Sequence, residues 1–116
     1  MKLSTKNIHL GLEEIDPTFD SVTPPIFTTS TYRFKNAAQG AARFSGKEKG
    51  MIYSRFTNPT VDLLAKRLAS LEEAEMAIVT SSGMAAISLT LLHFLKKGDH
   101  LLAHKVIYGG TFEFIS

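Results

Sequence analysis

The hydrophobic pattern changes character near the middle of the chain. From Asn58 onwards, Val61, Leu64, Ala65, Leu68 and Leu71 recur at helical spacing, with Asp62, Lys66 and Arg67 on the opposite face. That pattern predicts an amphipathic helix. Asn58-Pro59 opens it, with Asn as N-cap and Pro at the first helical position. Met76-Ala77-Ile78-Val79-Thr80 is a short apolar run that reads as a strand buried on both faces. Ser81-Ser82-Gly83 reads as a turn. Met84 to Phe94 is apolar almost all round, which predicts a buried helix. Lys96-Lys97-Gly98 closes it, the cations suiting the negative end of the helix dipole and the glycine a left-handed cap. Leu101-Leu102-Ala103 reads as the next strand, and Tyr108-Gly109-Gly110-Thr111 as a second strand-to-helix turn. Strand, helix and strand within about thirty residues make a βαβ unit, hence an α/β fold with a parallel sheet. Two parallel strands cannot cover both faces of a sheet. The segment is therefore expected to be incomplete as given, or dependent on another chain.

Residues 1–57 follow no such rhythm. Asp16-Pro17 and Pro24-Pro25 interrupt any helix. Thr28 to Tyr32 is rich in β-branched and aromatic residues, but no partner strand is evident nearby. This half reads as an extended arm with short helical pieces. Ile26, Phe27, Tyr32 and Phe34 need burial, and a neighbouring subunit is the expected place, because the arm has too few apolar positions for its own core. The expected division is an arm over 1–57 and the beginning of an α/β domain over 58–116.

Composition narrows the function classes. With 44% hydrophobic and 21% charged residues among 116, the chain is globular material and not a disordered tail. A net charge of +2 without a basic stripe gives no electrostatic footprint for nucleic acid. Lys47-Glu48-Lys49 alternates in sign and reads as a solvated loop. The absence of cysteine excludes disulfides and thiolate metal sites. Met1 to Lys6 lacks the apolar core of a signal peptide. Gly83 to Leu95 is broken by Ser88, Thr90 and His93 and is too short to span a bilayer. A cytoplasmic protein without membrane partners is expected. His100 and His104 flank a strand-like segment, where their spacing is not a metal clamp, so no metal site is expected. The acidic residues show no pairing that suggests acid–base work.

Three places could carry chemistry. At Ser81-Ser82-Gly83-Met84 a strand gives way to a helix, whose first N–H groups lack internal partners and lie at the positive end of its dipole. That makes a plausible phosphate cradle; an ordinary tight turn would use the same residues. Tyr53-Ser54-Arg55 offers a planar guanidinium fork beside a phenol, which suits phosphate; a surface loop with an extended arginine fits equally. Tyr108 stands at the carboxyl end of a parallel strand, where open α/β sheets bind ligands; a tyrosine at the edge of a core is the other reading.

The three places coincide in one resemblance. Ile8-His9-Leu10-Gly11, Val22-Thr23-Pro24-Pro25-Ile26, Thr29-Ser30-Thr31-Tyr32, Tyr53-Ser54-Arg55 with Asn58-Pro59-Thr60, Ser81 to Ala86 and Tyr108 to Thr111 resemble, in order and spacing, the Cys/Met-metabolism enzymes that use pyridoxal 5'-phosphate (PLP). That family includes cystathionine γ-synthase, the cystathionine lyases, methionine γ-lyase and O-acetylhomoserine sulfhydrylase. The resemblance implies the start of a fold-type-I PLP domain preceded by an arm, and a homotetramer built as a dimer of dimers. It also implies γ-elimination or γ-replacement on a sulfur amino acid or an activated homoserine. Ser82, Gly83 and Met84 would hold the cofactor phosphate. Tyr53 and Arg55 would reach that phosphate from the neighbouring subunit. Tyr108 would stack on the pyridine ring and is the candidate proton donor to the leaving group. Arg43-Phe44-Ser45-Gly46 looks like the methionine γ-lyase and sulfhydrylase branches. Gly110 departs from typical methionine γ-lyases, which often carry Cys there. The family's Schiff-base lysine belongs to a later Ser-x-Thr-Lys segment, and neither Ser4-Thr5-Lys6 nor Lys105 matches it. These 116 residues alone are therefore expected to be inactive. The competing expectation is a non-catalytic module that docks on a full-length or complementary chain.

Overall fold

The computed structural model describes residues 2–12 and 21–116. The Asp16-Pro17 break lies outside them. The described helices are α1 (Leu3–His9), α2 (Ala37–Phe44), α3 (Pro59–Leu71), α4 (Gly83–Phe94) and α5 (Gly109–Ile115). The chain divides into two units, one ending at Ile78 and the other beginning at Val79.

In the first unit α3 is the organising element. Its start is as predicted: Asn58 Oδ1 accepts from the Thr60 N–H at 2.9 Å, and Pro59 occupies the first turn. Ala69 is its buried apolar residue. α1 packs on α3. Arg67 donates from Nε to the Leu10 carbonyl at 3.2 Å and from a terminal nitrogen to the Ile8 carbonyl at 2.8 Å, satisfying groups that the end of α1 leaves open. Gly11 follows at φ +80°, and a Cβ there would lie 2.6 Å from Leu63 Cδ1. Only glycine meets both demands.

α2 is framed by side chains. Asn36 accepts from the Gln39 N–H at 2.9 Å, while the Gln39 side chain accepts from the Lys35 N–H at 2.8 Å. At the other end Gly46, at φ +72°, sits in a left-handed cap. There Lys47 N–H reaches the Ala42 carbonyl at 2.9 Å and Gly46 N–H reaches Arg43 at 3.1 Å, the Schellman pattern. Arg43 then pairs with Glu48 at 3.2 Å, donates to the Met51 carbonyl at 3.1 Å and lies over the Phe34 ring. The solvated-loop expectation for Lys47-Glu48-Lys49 is corrected at its centre. Both lysines are exposed, but Glu48 is half-buried and also accepts from Gln39 Nε2 at 2.8 Å. Alternating charge hid the fact that the middle carboxylate faces α2.

The arm finds a partner that its sequence did not reveal. Thr31 and Tyr53 form an isolated antiparallel bridge, with Tyr32 N–H to the Ile52 carbonyl at 3.2 Å and Ser54 N–H to the Ser30 carbonyl at 2.9 Å. Phe27, Tyr32 and Phe34 are half-buried within this unit, whereas Ile26 stays 79% exposed.

In the second unit Ser82 caps α4, its Oγ accepting from the Ala85 N–H at 3.1 Å. Gly98 takes a positive φ, as predicted for it, but within a turn closed by Asp99 N–H to Lys96 C=O at 3.0 Å, beyond the helix end at Phe94. α4 itself departs from expectation: none of its residues is buried, and Leu92 and Phe94 are among the exposed apolar side chains. α5 packs against α4, and seven residues cover only one side of a helix that is apolar all round. Neither Met76–Thr80 nor Leu101–Ala103 forms a strand among the described residues. A strand exists through its ladder, and no described segment supplies one to either run.

Candidate functional site

The Tyr53-Ser54-Arg55 segment is a tight turn. The Phe56 and Thr57 N–H groups both donate to the Tyr53 carbonyl, at 2.9 and 3.2 Å. Ser54, between the two candidate residues, is anchored on several sides. Its hydroxyl donates to the Thr29 carbonyl, receives a hydrogen bond from Asn58 Nδ2 at 3.0 Å, and lies 3.4 Å from the Tyr32 hydroxyl. Tyr53 and Arg55 are thereby left to project from a fixed backbone. The Arg55 guanidinium lies 5.4 Å from the Tyr53 ring centroid and 5.3 Å from that of Phe56. These two rings meet edge to face at 6.5 Å. Arginine stacked on aromatic faces keeps its N–H edge free for a planar oxyanion. Arg55 is exposed and makes no ion pair among the described residues. Phe56 escaped the sequence reading, although its place beside Arg55 was a visible signal.

In the second unit the candidate residues gather around the start of α4. Ser82 spends an oxygen lone pair on the cap and keeps its proton for another acceptor. The Gly83 and Met84 N–H groups, first in the helix, have no partner among the described residues. A Cβ on Gly83 would meet nothing within 4 Å, so the space beside these donors is open. Tyr108 immediately precedes α5 and is 72% exposed; its carbonyl accepts from Thr111 and Phe112. The Tyr108 ring lies over Gly110, where a Cβ would stand 2.7 Å from Cε1. The Thr111 hydroxyl lies 3.6 Å from Met84 Sδ. That contact sets the first turn of α5 against the first turn of α4, and so brings Tyr108 to the same end as Ser82, Gly83 and Met84. Thr111 was read only as part of a turn; its contact depends on tertiary packing that no local pattern signals.

In the second unit, the free helix-start N–H groups and the capping hydroxyl are donors that suit an anion such as phosphate; in the first unit, the stacked guanidinium of Arg55 suits one by itself. An aromatic side chain beside the helix start suits a planar ring. Open donors and an aromatic ring at one helix start are features that suit a ligand carrying both a phosphate and a planar ring.

Comparison with known proteins specifies the class. The family model for Cys/Met metabolism PLP-dependent enzymes matches residues 4–116. The chain belongs to that family. L-methionine gamma-lyase of Fusobacterium nucleatum subsp. polymorphum is 46% identical over 110 residues, covering 95% of this chain and 27% of that enzyme. O-succinylhomoserine sulfhydrylase of Pseudomonas aeruginosa is 48% identical over 86 residues, covering 74% of this chain and 21% of that enzyme. A crystal structure described as an O-acetylhomoserine (thiol)-lyase from Campylobacter jejuni, with a pyridoxyl-lysine monophosphate, matches with a TM-score of 0.86 and 40% identity. The match covers 100% of this chain and 28% of that one. The chain thus spans about a quarter of the length of these relatives.

Proposed function

We propose that these residues form the phosphate-gripping N-terminal part of a PLP-dependent enzyme. The reaction is γ-elimination or γ-replacement on a sulfur amino acid or an activated homoserine, as in methionine γ-lyases and O-acetylhomoserine sulfhydrylases. The observation that carries the reading is the family match over 4–116 together with unpartnered phosphate donors at the two motifs. In this reading the fold is the opening of a fold-type-I PLP domain, in which residues 58–116 enter a parallel βαβ sheet and residues 1–57 serve as the intersubunit arm. The enzyme is a cytoplasmic homo-oligomer whose sites are shared between subunits.

PLP, when bound, supplies the electron sink for bonds at the substrate's α- and γ-carbons. The chain's own residues do the holding. Gly83 and Met84 present backbone N–H groups to the phosphate, and Ser82 adds its hydroxyl. Arg55 contributes a charge-assisted fork, and the Tyr53 hydroxyl a further donor. Tyr108 stacks on the cofactor ring and carries a proton on its Oη for the leaving group.

The test compares affinity for PLP with affinity for pyridoxal, which lacks the phosphate. Arg55→Ala should lower the PLP-to-pyridoxal affinity ratio by roughly tenfold or more, the range of a hydrogen bond to a charged group. An unchanged ratio would remove Arg55 from the phosphate site.

A further inference from the structure

Asn58 is the buried polar residue among the described residues of the first unit, 6% exposed, and each polar atom of its side chain has work. Oδ1 caps α3 through the Thr60 N–H at 2.9 Å. Nδ2 donates to the Phe27 carbonyl at 3.0 Å and to Ser54 Oγ at 3.0 Å. Thr60 completes the clamp, its Oγ1 accepting from the Phe27 N–H at 2.9 Å. The first residues of α3 thus hold both the N–H and the C=O of one arm residue. They also hold the side chain at the centre of the Tyr53-Ser54-Arg55 turn.

A helix cap alone does not demand this residue. Asp, Ser and Asn cap about equally well, because each offers an oxygen to the first-turn N–H groups. Only an amide offers that oxygen and two donors from one planar group. An aspartate would keep the cap but set an acceptor oxygen against the Phe27 carbonyl. The donor half of Asn58 is therefore in demand beyond helix initiation, and its targets are the arm and Ser54. Ser54 is further fixed by its N–H to Ser30 at 2.9 Å, so the turn is held by backbone on one side and by Asn58 on the other.

We infer that Asn58 is a positioning residue for cofactor binding: its side-chain amide fixes the Tyr53-Ser54-Arg55 turn so that Arg55 is presented to the cofactor phosphate. The phosphate half of this statement rests on the function proposed above. The geometric half stands on the hydrogen bonds.

Asn58→Asp separates the two roles and is studied in the natural protein together with Arg55→Ala, the double variant and Thr60→Val. Two quantities are read. The first is amide hydrogen exchange at Ser54 and Tyr32, against Leu68 and Ala69 inside α3. The second is the PLP-to-pyridoxal affinity ratio. Asn58→Asp should speed exchange at Ser54 and Tyr32 while Leu68 and Ala69 stay protected. It should also lower the affinity ratio about tenfold, the scale of a weakened hydrogen bond to a charged group. In the Arg55→Ala background it should lower the ratio no further, since a residue acting through Arg55 cannot act without it. Thr60→Val, which loses the Phe27 contact but keeps the cap, should shift both readouts in the same direction and decides the matter if Asn58→Asp fails to fold. Unchanged exchange at Ser54 overturns the clamp. A lower ratio in Arg55→Ala but not in Asn58→Asp overturns the positioning role and leaves the phosphate reading intact. An unchanged ratio in Arg55→Ala overturns the phosphate reading, and the positioning role with it, whatever the exchange data show.

Discussion

The Thr111 hydroxyl and the Met84 sulfur lie 3.6 Å apart, joining the first turns of two helices whose starts carry Tyr108 and the Ser82-Gly83-Met84 donors. A polar–sulfur contact is weak by itself. Its importance is geometric: it fixes which end of α5 meets which end of α4.

Tyr108→Phe keeps the ring and removes the proton on Oη. If Tyr108 both stacks and donates, cofactor affinity should stay within about threefold, since stacking survives the change. Turnover of the natural protein should fall by about 10²- to 10⁴-fold, the usual worth of a positioned general acid. Equilibrium binding and steady-state kinetics on the same preparation separate the two effects.

Gly110→Ala should displace the Tyr108 ring without unfolding the chain. The new Cβ would stand 2.7 Å from Cε1, the edge of a side chain that can rotate away. Alanine in a helix gains up to about 1 kcal/mol over glycine, so stability should hold or rise. The near-ultraviolet circular dichroism of the tyrosines should change. Cysteine, the residue often present here in methionine γ-lyases, should act in the same direction.

Gly11→Ala should destabilise the first unit by about 1–3 kcal/mol. It places a Cβ at φ +80° and only 2.6 Å from Leu63 Cδ1. Leu63→Ala in the same chain should relieve the clash but not the backbone strain, so rescue should be partial. Urea titration of the single and double variants measures both.

Glu48 predicts a pH dependence. Hydrogen bonds from Gln39 first, then from Arg43, hold its carboxyl below the usual value near 4.5. The folded form therefore favours the carboxylate. Its contribution is complete above the unfolded value and is lost as pH falls through the lowered folded value. Acidification should loosen the Arg43 loop, and Glu48→Gln should flatten that part of the acid unfolding curve. Carboxyl-carbon NMR during an acid titration follows the group directly.

Local grammar was legible; partnership at a distance was not. Asn58-Pro59 announced the start of α3, because caps and first turns are decided by neighbouring residues; Tyr108 to Thr111 was read as a turn leading into a helix, whereas α5 already begins at Gly109. The same letters concealed the second use of Asn58, whose amide meets Phe27, 31 positions earlier. The pairing of Thr31 with Tyr53 was hidden for the same reason. For α4 the apolar run correctly implied a helix and wrongly implied a buried one. Its burial did not follow, because covering such a helix requires neighbours that its own sequence cannot specify. At both motifs residue types suggested phosphate donors; in the first unit Phe56 stood visibly beside Arg55 in the sequence, whereas in the second the contact of Thr111 with Met84 emerged only from packing.

The Ser82 cap closes on Ala85 within a single helical turn. It asks nothing of the surfaces that α4 leaves bare. Helices form on a timescale of about a microsecond, far ahead of domain docking and subunit assembly. The Gly83 and Met84 N–H groups are accordingly set out by a cap that needs only neighbouring residues to close. An anion that binds there would stabilise the folded form by mass action. If those donors hold the proposed cofactor phosphate, the cofactor would add to the stability of the fold as well as supply its chemistry.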